Sequence, residues 1–469
     1  MVRVLVEAPR WLLVAALVFA PWAYGSTRFW ALHILNVLLG GVCALWLGEC
    51  VVRRRRPQVP ILLASGVGGL LVLGWWMVFN AHSTYNYDTN QFVAGSPWAA
   101  GLPGSTERTL SRETMLSYTG LLGVLVFCCD LFQRPHWQKR IWLTLTLTGF
   151  SIAVFGILLK IGGIRAMALI WEEGKRDLTN NFATFRYRAN AGAYLNLVLP
   201  LLGGLVFLTF RRSGRPKRKA FWLVALLVVG LAIQLNTSRA GWAIALGLGL
   251  LLVVNAAQYT WRTRAESDRP PLTWAHAAIA LGMLVGILGI VGLGGWQTSW
   301  ARIQKIGVDP STRSPTEIYW KMAPDAGAFG FGPGTFQVKF YGYQHRYDFG
   351  NRSVPDSWVN GWWEMAHQDY LQTLLEWGYV GLLGWSVVIG GGLWAGIIGL
   401  VRKSQELSSQ WLVFCSVIGV AGTLAHSFVD FPMQIASIQL FVCVLLGACW
   451  SQFAPAAPAP VRQSSAGLA

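Results

Sequence analysis

The sequence predicts an all-α polytopic membrane protein with about twelve transmembrane helices and one large outward loop subdomain. Apolar residues make up 54% of the chain and charged residues only 13%, whereas soluble domains carry roughly 25% charged residues. Apolar runs of about 20 residues, the length needed to cross a bilayer, recur along the whole chain. Within lipid such runs must be helical, because every backbone polar group needs a partner inside its own segment.

Twelve segments are apolar and long enough to form these helices. They are Val4–Tyr24, Phe29–Cys50, Pro60–Phe79, Leu116–Phe132, Ile141–Gly162, Ala189–Phe210, Ala220–Leu235, Ala240–Ala257, Trp274–Trp296, Gly378–Val401, Gln410–Phe428 and Met433–Trp450. Glu7 and Arg10 interrupt the first segment, so a cleaved signal peptide is the alternative there. A helix is favoured because no clean small-residue cleavage site precedes Arg28.

Basic residues predict the orientation of these helices. Short connections rich in Lys and Arg stay in the cytoplasm. Such clusters fall in every second connection: Arg53–Arg56, Arg134 to Arg140, Arg211–Lys219, Arg262 to Arg269, and Arg402 with Lys403. Both termini are therefore expected in the cytoplasm. The net charge of +17 comes mostly from the basic residues of these cytoplasmic connections. A nucleic-acid partner is not expected, because the basic residues lie in short loops and no domain presents them.

The remaining connections face outward, and three are long: His82–Arg112, Ile164–Arg188 and Gln297–Trp377. We divide the chain into N-terminal transmembrane helices (1–180), a core (181–450) that includes the loop 297–377, and a disordered cytoplasmic tail (451–469). All seven cysteines lie in or beside apolar segments, so no disulfide framework is indicated. No CxxC or HxxxH spacing appears, and neither a metal nor another cofactor is expected.

Charged side chains gather in the outward segments. Arg186 and Arg188 precede the sixth helix, Arg239 lies in the tight turn after the seventh, and Asp430 lies in the turn after the eleventh. His367 enters from the largest loop. Snorkelling to the interface is the ordinary explanation for a single arginine near a helix end. Arg239 is harder to explain in that way, because charge between two apolar helices is expensive and usually functional.

These groups suit the transfer of a sugar from a lipid-linked donor. Nucleotide sugars are absent outside the cytoplasm, so a donor there must be carried on a membrane lipid, with a lipid diphosphate as the leaving group. Arginine recognises diphosphate oxygens through its planar fork, and fixed cations stabilise a departing anion. The outward loops lack a DxD carboxylate pair, which favours metal-independent chemistry. A histidine, which ordinarily titrates near about pH 6.5, suits the activation of an acceptor hydroxyl.

Five short motifs resemble those of the O-antigen ligase and O-antigen polymerase superfamily of bacterial inner-membrane glycosyltransferases. The ligase signature is His-Asn/Ser/Gln, nine residues, then Gly-x-x-Gly/Thr/Tyr, and His367, Gln368, Gly378 and Gly381 match it. The other four resemblances are Ser238-Arg239, Phe331–Phe336 (glycine-rich), Asn190–Leu195 and Asp430-Phe431-Pro432. Together they cover roughly residues 181–450.

The resemblance implies a GT-C-like helical fold, an undecaprenyl-diphosphate-linked glycan donor and no metal. His367 matches the proposed catalytic base of the family and Arg239 an arginine assigned to the diphosphate. A further loop arginine of the family corresponds to Arg313, with Arg302 as its rival. The expected substrate-binding residues are Arg186, Arg188, Asn190, Arg313, Glu364, Gln368 and Asp430.

Three functions stay open at this point. The first is a ligase that moves a completed glycan from the lipid diphosphate to a lipid, such as lipid A core, or to a protein. The second is the related polymerase, which joins repeat units. The third is a flippase or transporter of lipid-linked sugars, whose polar sites would lie near the membrane midplane, commonly within internal repeats. Here the polar groups gather at one face, and the sequence shows no internal repeat.

Overall fold

The computed structural model describes residues 2–86, 88–89, 91–168, 181–211, 216–264, 315–350, 356–402 and 406–455. Within these ranges, eleven helices are long and apolar enough to cross a membrane. They are α1 (Val2–Trp22), α2 (Phe29–Val52), α3 (Ile61–Phe79), α4 (Arg108–Leu131), α5 (Pro135–Ala168), α6 (Arg188–Arg211), α7 (Pro216–Leu235), α8 (Arg239–Arg264), α12 (Asp369–Arg402), α13 (Leu407–His426) and α14 (Ala436–Trp450). Three shorter helices precede α12: α9 (Thr316–Ala326), α10 (Phe336–Gln344) and α11 (Asp356–Asn360).

The predicted all-α polytopic architecture is confirmed. Each of the eleven membrane-length helices coincides with one of the predicted apolar segments. The remaining predicted helix, 274–296, lies outside the described residues. The first residues of the large loop, 297–314, also lie outside them. The tail predicted to be disordered begins with a 3-10 turn, Ser451–Phe453, and residues 456–469 lie outside the described ranges.

Two helices begin well before their predicted first residue. α4 starts at Arg108 instead of Leu116, where the side chain of Glu107 caps it by accepting a hydrogen bond from the Leu110 backbone N–H. α12 starts at Asp369 instead of Gly378. Hydropathy marks only the part of a helix that lies in lipid, so polar turns beyond it are missed. At both helices, this polar turn carries residues of the candidate site.

The helices share one buried core, in which N-terminal and C-terminal elements are interleaved. α14 packs against α4, α12 and α13, while α6 packs against α7, α8 and α13. The side chains of Tyr194, Trp377, Phe441 and Trp450 are fully buried between them. The helices before residue 181 therefore form part of the scaffold that holds the helices of the segment 181–450.

The charges that interrupt the first predicted helix form part of an internal ion-pair network. Arg10 is only 3% exposed and its Nη1 lies 2.7 Å from Glu7 Oε1. Its Nη2 lies 3.5 Å from Oε1 of Glu49, a buried residue of α2. Beside them, Arg55 forms two hydrogen bonds to the carboxylate of Asp130, at 3.0 and 2.8 Å. α1 therefore packs against α2 with Glu7 and Arg10 paired.

Outside the helix bundle, two small units lie on the same side as His367. β1 (Ser83–Asn86) and β2 (Gln91–Ala94) form an antiparallel hairpin, with Ser83 opposite Ala94. This hairpin was not predicted, because its strands are only four residues long and too short to show a clear alternation. The loop helices α9 and α10 enclose a second hydrophobic cluster that includes Tyr319, Phe336 and Phe340. This cluster packs on the first turns of α12 through Leu371 and Leu375.

Candidate active site

His367 lies at the junction between the large loop and α12, in a constrained backbone conformation. Its φ of +52° is in the left-handed region, which residues with a Cβ rarely adopt. Hydrogen bonds fix the chain on both sides: Ala366 N–H donates to Gln372 Oε1 at 3.0 Å, and Asp369 N–H donates to the Ser427 carbonyl at 3.1 Å. Such strain persists only where neighbouring contacts enforce it, and it is common at functional sites.

Asp430 is the charged partner of His367. Its Oδ1 lies 3.4 Å from His367 Nδ1, and its side chain is buried while the imidazole is 31% exposed. The carboxylate also accepts hydrogen bonds from Tyr187 Oη at 3.2 Å and from the Phe431 N–H at 3.1 Å. A carboxylate in this position orients an imidazole and selects its tautomer. With a proton on Nδ1 directed at Asp430, Nε2 is left as the proton acceptor.

Aromatic rings enclose the imidazole. Phe431 and Trp363 meet it edge to face, with ring centroids at 4.5 and 5.5 Å. Tyr187 stacks on Phe431 with an interplanar angle of 2°. The segment around Tyr187, the turn at 430–431 and the large loop therefore converge on one histidine.

His367 lines a cavity of about 580 Å³ that is open to the outside of the bundle. Four of the predicted site residues line it: Arg186, Asn190, Glu364 and His367. Other polar lining residues were not predicted: Ser26, Thr27, Glu113, Thr114, Ser117, Tyr118, Gln337, Gln372, Glu376, Gln434 and Gln439. Glu113 was not predicted, because the first turns of α4 were assigned to a loop. The signal that could have identified it is a carboxylate placed just before an apolar helix.

The other predicted site residues that the structure describes do not line this cavity. Asp430 lies behind His367, and the Gln368 Oε1 is buried without a hydrogen-bond partner among the described residues. Among the described lining residues, Arg186 supplies the guanidinium, whereas Arg188 and Arg239 are not part of the lining. Arg313 and its rival Arg302 lie outside the described residues. Glu364 lines the cavity, and the carboxylate beside the imidazole ring is that of Asp430.

The segments that carry Arg188 and Arg239 lie side by side. The side-chain amide of Asn236 donates to the Arg188 carbonyl at 2.8 Å, and that of Asn196 donates to the Gly241 carbonyl at 2.8 Å. Ser238 Oγ accepts the Gly241 N–H at 3.2 Å at the start of α8. The Ser-Arg turn between α7 and α8 is therefore fastened to the first turns of α6, where a second predicted arginine begins the helix.

The glycine-rich segment Phe331–Phe336 is bound to a carboxylate of the chain itself. Glu376 accepts the Gly334 N–H at 2.9 Å and the Phe336 N–H at 3.3 Å. Gly332 has a φ of +113°, and a Cβ there would lie 2.3 Å from Ser105 Oγ. Because these amides are already engaged, the segment shapes the cavity wall, and direct phosphate binding by its N–H groups is not supported.

A second cavity of about 280 Å³ adjoins the first. Its walls are mostly apolar and include Leu121, Leu122, Trp385, Ile389 and Leu393. The two cavities share four lining residues: Tyr118, Glu376, Gln434 and Gln439. A polar space next to an apolar one suits an amphipathic molecule. Over the residues that the structure describes, no group of three or more His, Cys, Asp or Glu side chains is placed to hold a metal ion.

Part of the chain matches a known protein family. Residues 222–386 match the profile of the family described as O-antigen ligase. The match spans the Ser-Arg turn, the large loop, His367 and the glycines of the ligase signature, but not Tyr187 or Asp430. No curated protein matches the chain. The resemblance to the O-antigen ligase superfamily is thus confirmed, in a multi-pass membrane protein whose O-antigen ligase-type region covers residues 222–386.

Proposed function

We propose that this chain is a glycosyltransferase that moves a glycan from undecaprenyl diphosphate to an acceptor at the periplasmic face of a bacterial inner membrane. The observation that carries the proposal is the His367–Asp430 pair, whose imidazole lines a polar cavity next to an apolar one. The acceptor is lipid A core or another lipid or protein. The O-antigen ligase match supports this reaction class.

In the proposed reaction, His367 Nε2 takes the proton of an acceptor hydroxyl as its oxygen attacks the anomeric carbon of the donor glycan. A new carbon–oxygen bond forms, the bond between the anomeric carbon and the diphosphate oxygen breaks, and undecaprenyl diphosphate leaves as an anion. Asp430 stabilises the imidazolium that forms. General acid–base assistance of this kind contributes about 10²- to 10⁴-fold in rate.

The two cavities suit the two ends of the proposed donor. The glycan lies in the polar cavity, where amide, hydroxyl and carboxylate side chains bond to sugar hydroxyls. The isoprenoid chain lies in the apolar cavity, between α4 and α12. We assign the diphosphate to arginines, Arg186 from the cavity wall together with Arg239 and Arg313, since fixed guanidinium groups stabilise a leaving diphosphate without a metal ion.

The direct test is single-turnover transfer by purified protein in lipid nanodiscs, with an undecaprenyl-diphosphate-linked oligosaccharide as donor and extracted lipid A core as acceptor. His367→Gln should lose transfer by at least about 10²-fold and still bind the donor. The matched control is His345→Gln, because His345 is an exposed loop histidine that does not line the cavity. Near-normal transfer by His367→Gln would contradict the proposed base.

Glycan profiling of a deletion strain separates the ligase from the polymerase. A ligase predicts long unligated chains on the carrier lipid, whereas a polymerase predicts single repeat units on the acceptor. Complementation with the wild-type gene should restore the wild-type pattern, and complementation with the His367→Gln variant should not. Accumulation of lipid-linked sugars on the cytoplasmic side only would instead identify a transporter and contradict the proposal.

A further inference from the structure

Asp369, the first residue of α12, binds the outward turn between α13 and α14. Its carboxylate Oδ2 accepts hydrogen bonds from Ser427 Oγ at 2.8 Å and from Met433 N–H at 2.9 Å. Its Oδ1 accepts a hydrogen bond from Gln434 Nε2 at 3.0 Å. In the other direction, the Asp369 N–H donates to the Ser427 carbonyl at 3.1 Å. The side chain is 4% exposed, and both of its oxygens are satisfied.

The residues of the turn that form these four hydrogen bonds flank Asp430 along the chain. Ser427 precedes Asp430 in the chain, and Met433 and Gln434 follow it. His367 lies two residues before Asp369. One carboxylate therefore connects the segment that carries the imidazole with both ends of the turn that carries its acidic partner.

The contacts differ from those of an ordinary helix cap. A capping carboxylate accepts hydrogen bonds from the free N–H groups of its own first turn. The described hydrogen bonds of the Asp369 carboxylate all come from residues 427–434 and none from α12. Asp369 lines the smaller apolar cavity and is not part of the lining of the larger one. Its carboxylate thus holds two segments together from outside the polar cavity.

We propose that Asp369 is a positioning residue for the transfer reaction: it sets the distance and orientation of Asp430 relative to His367. The inference rests on the proposed function, in which that pair activates the acceptor. Asp369 itself transfers no proton in this scheme. Loss of its carboxylate releases the turn at 427–434, which lets Asp430 move away from the imidazole and leaves the ring free to rotate.

The first experiment measures His367 directly, without any transfer reaction. Purified protein is treated with diethyl pyrocarbonate, and the carbethoxylation rate of each histidine is followed by mass spectrometry. Asp369→Asn should raise the rate at His367, because Nδ1 is released from Asp430. The rate at exposed His345 should not change. The matched control is Asp325→Asn, which removes an exposed carboxylate that is bound to Tyr343 and makes no hydrogen bond to the turn among the described residues.

The second experiment is a double-mutant cycle on transfer. Asp369→Asn alone should slow single-turnover transfer about tenfold, the change expected from losing one hydrogen bond to a charged group. In the Asp430→Asn background it should add little further loss, because the pair it positions is already broken. Donor binding should be unchanged in all variants. If Asp369 had a purely structural role, the losses in transfer rate of the two single variants would instead multiply in the double variant.

The two readouts separate failure of this inference from failure of the proposed function. Faster carbethoxylation of His367 in Asp369→Asn supports the positioning role even if no variant or wild-type protein transfers glycan. An unchanged His367 rate, or losses that multiply in the cycle, would overturn it. If Asp369→Asn does not fold, Ser427→Ala removes one of the same hydrogen bonds and should raise the His367 rate to a smaller extent; no rise there would equally overturn the inference.

Discussion

The Nδ1 atom of His367 and the Oδ1 atom of Asp430 lie 3.4 Å apart, although His367 precedes α12 and Asp430 follows α13. The same carboxylate accepts a hydrogen bond from Tyr187. Three segments that are distant in the chain thus meet at one imidazole. The pair is the point at which the proposed chemistry is most easily tested.

Asp430→Asn should slow transfer about ten- to a hundredfold, because it removes the carboxylate that stabilises the imidazolium, and a contact between charged groups contributes about 1.5–3 kcal/mol. Tyr187→Phe is the matched control: it removes one hydrogen bond to Asp430 and keeps the ring that stacks on Phe431. Tyr187→Phe should slow transfer by less than about tenfold. Single-turnover transfer from purified lipid-linked donor measures both. Equal effects of the two variants would mean that the carboxylate has no particular role beside the imidazole.

His367→Gly should be more stable than His367→Ala, although both should lack transfer. The backbone of His367 has a φ of +52°, and the left-handed conformation costs a residue with a Cβ roughly 1–2 kcal/mol. Glycine avoids this cost. Thermal unfolding in detergent should therefore give a higher apparent Tm for the glycine variant. The reverse order would indicate that the conformation at this position is unstrained.

Gly378→Ala should destabilise the protein strongly. Gly378 has a φ of +62°, and a Cβ there would lie 2.4 Å from the Ala328 backbone carbonyl. Overpacking alone typically costs about 1–3 kcal/mol, and the positive φ adds strain. The control is Gly390→Ala on the same helix, where a Cβ would meet nothing within 4 Å. Yield of monodisperse protein and apparent Tm should fall for Gly378→Ala and stay near wild type for Gly390→Ala.

Arg239→Lys should not behave as a conservative substitution if Arg239 binds the diphosphate. A single ammonium cannot reproduce the two contacts of a guanidinium fork. We expect about ten- to a hundredfold slower transfer, the effect of losing one charge-assisted contact. Transfer at the wild-type rate by Arg239→Lys, together with an active Arg239→Ala, would return this residue to the class of interfacial arginines that snorkel.

The large loop should face the outside of the cell. Trp320→Cys places a thiol at an exposed loop position, and Arg56→Cys places one in a connection predicted to be cytoplasmic. A membrane-impermeant maleimide should label the first in intact spheroplasts and the second only after lysis. The seven native cysteines, which are buried or half-buried, provide the background. Labelling of the loop only after lysis would reverse the orientation and contradict the proposed site of reaction.

The composition of the chain and the length of its apolar runs were enough to predict the class of fold. Lipid permits few backbone arrangements, so apolar runs such as Phe29–Cys50 and Ile141–Gly162 had to be helices, and the structure has them as α2 and α5. The ends of helices were less predictable. Polar turns such as the one at Arg108 continue a helix beyond the apolar run, because capping and packing, which hydropathy does not measure, decide where it begins.

By itself the sequence determined that this protein is an all-α membrane protein, that it resembles O-antigen ligases, and that His367 is the histidine of the ligase signature. Only the tertiary structure decided that Asp430, and not Glu364, lies beside the imidazole, that Glu113 of α4 lines the same cavity, and that Glu376 occupies the amides of the glycine-rich segment. The reason is physical. Helix formation in lipid depends on neighbours within one segment, whereas these contacts join segments far apart in the chain and arise only when the helices pack.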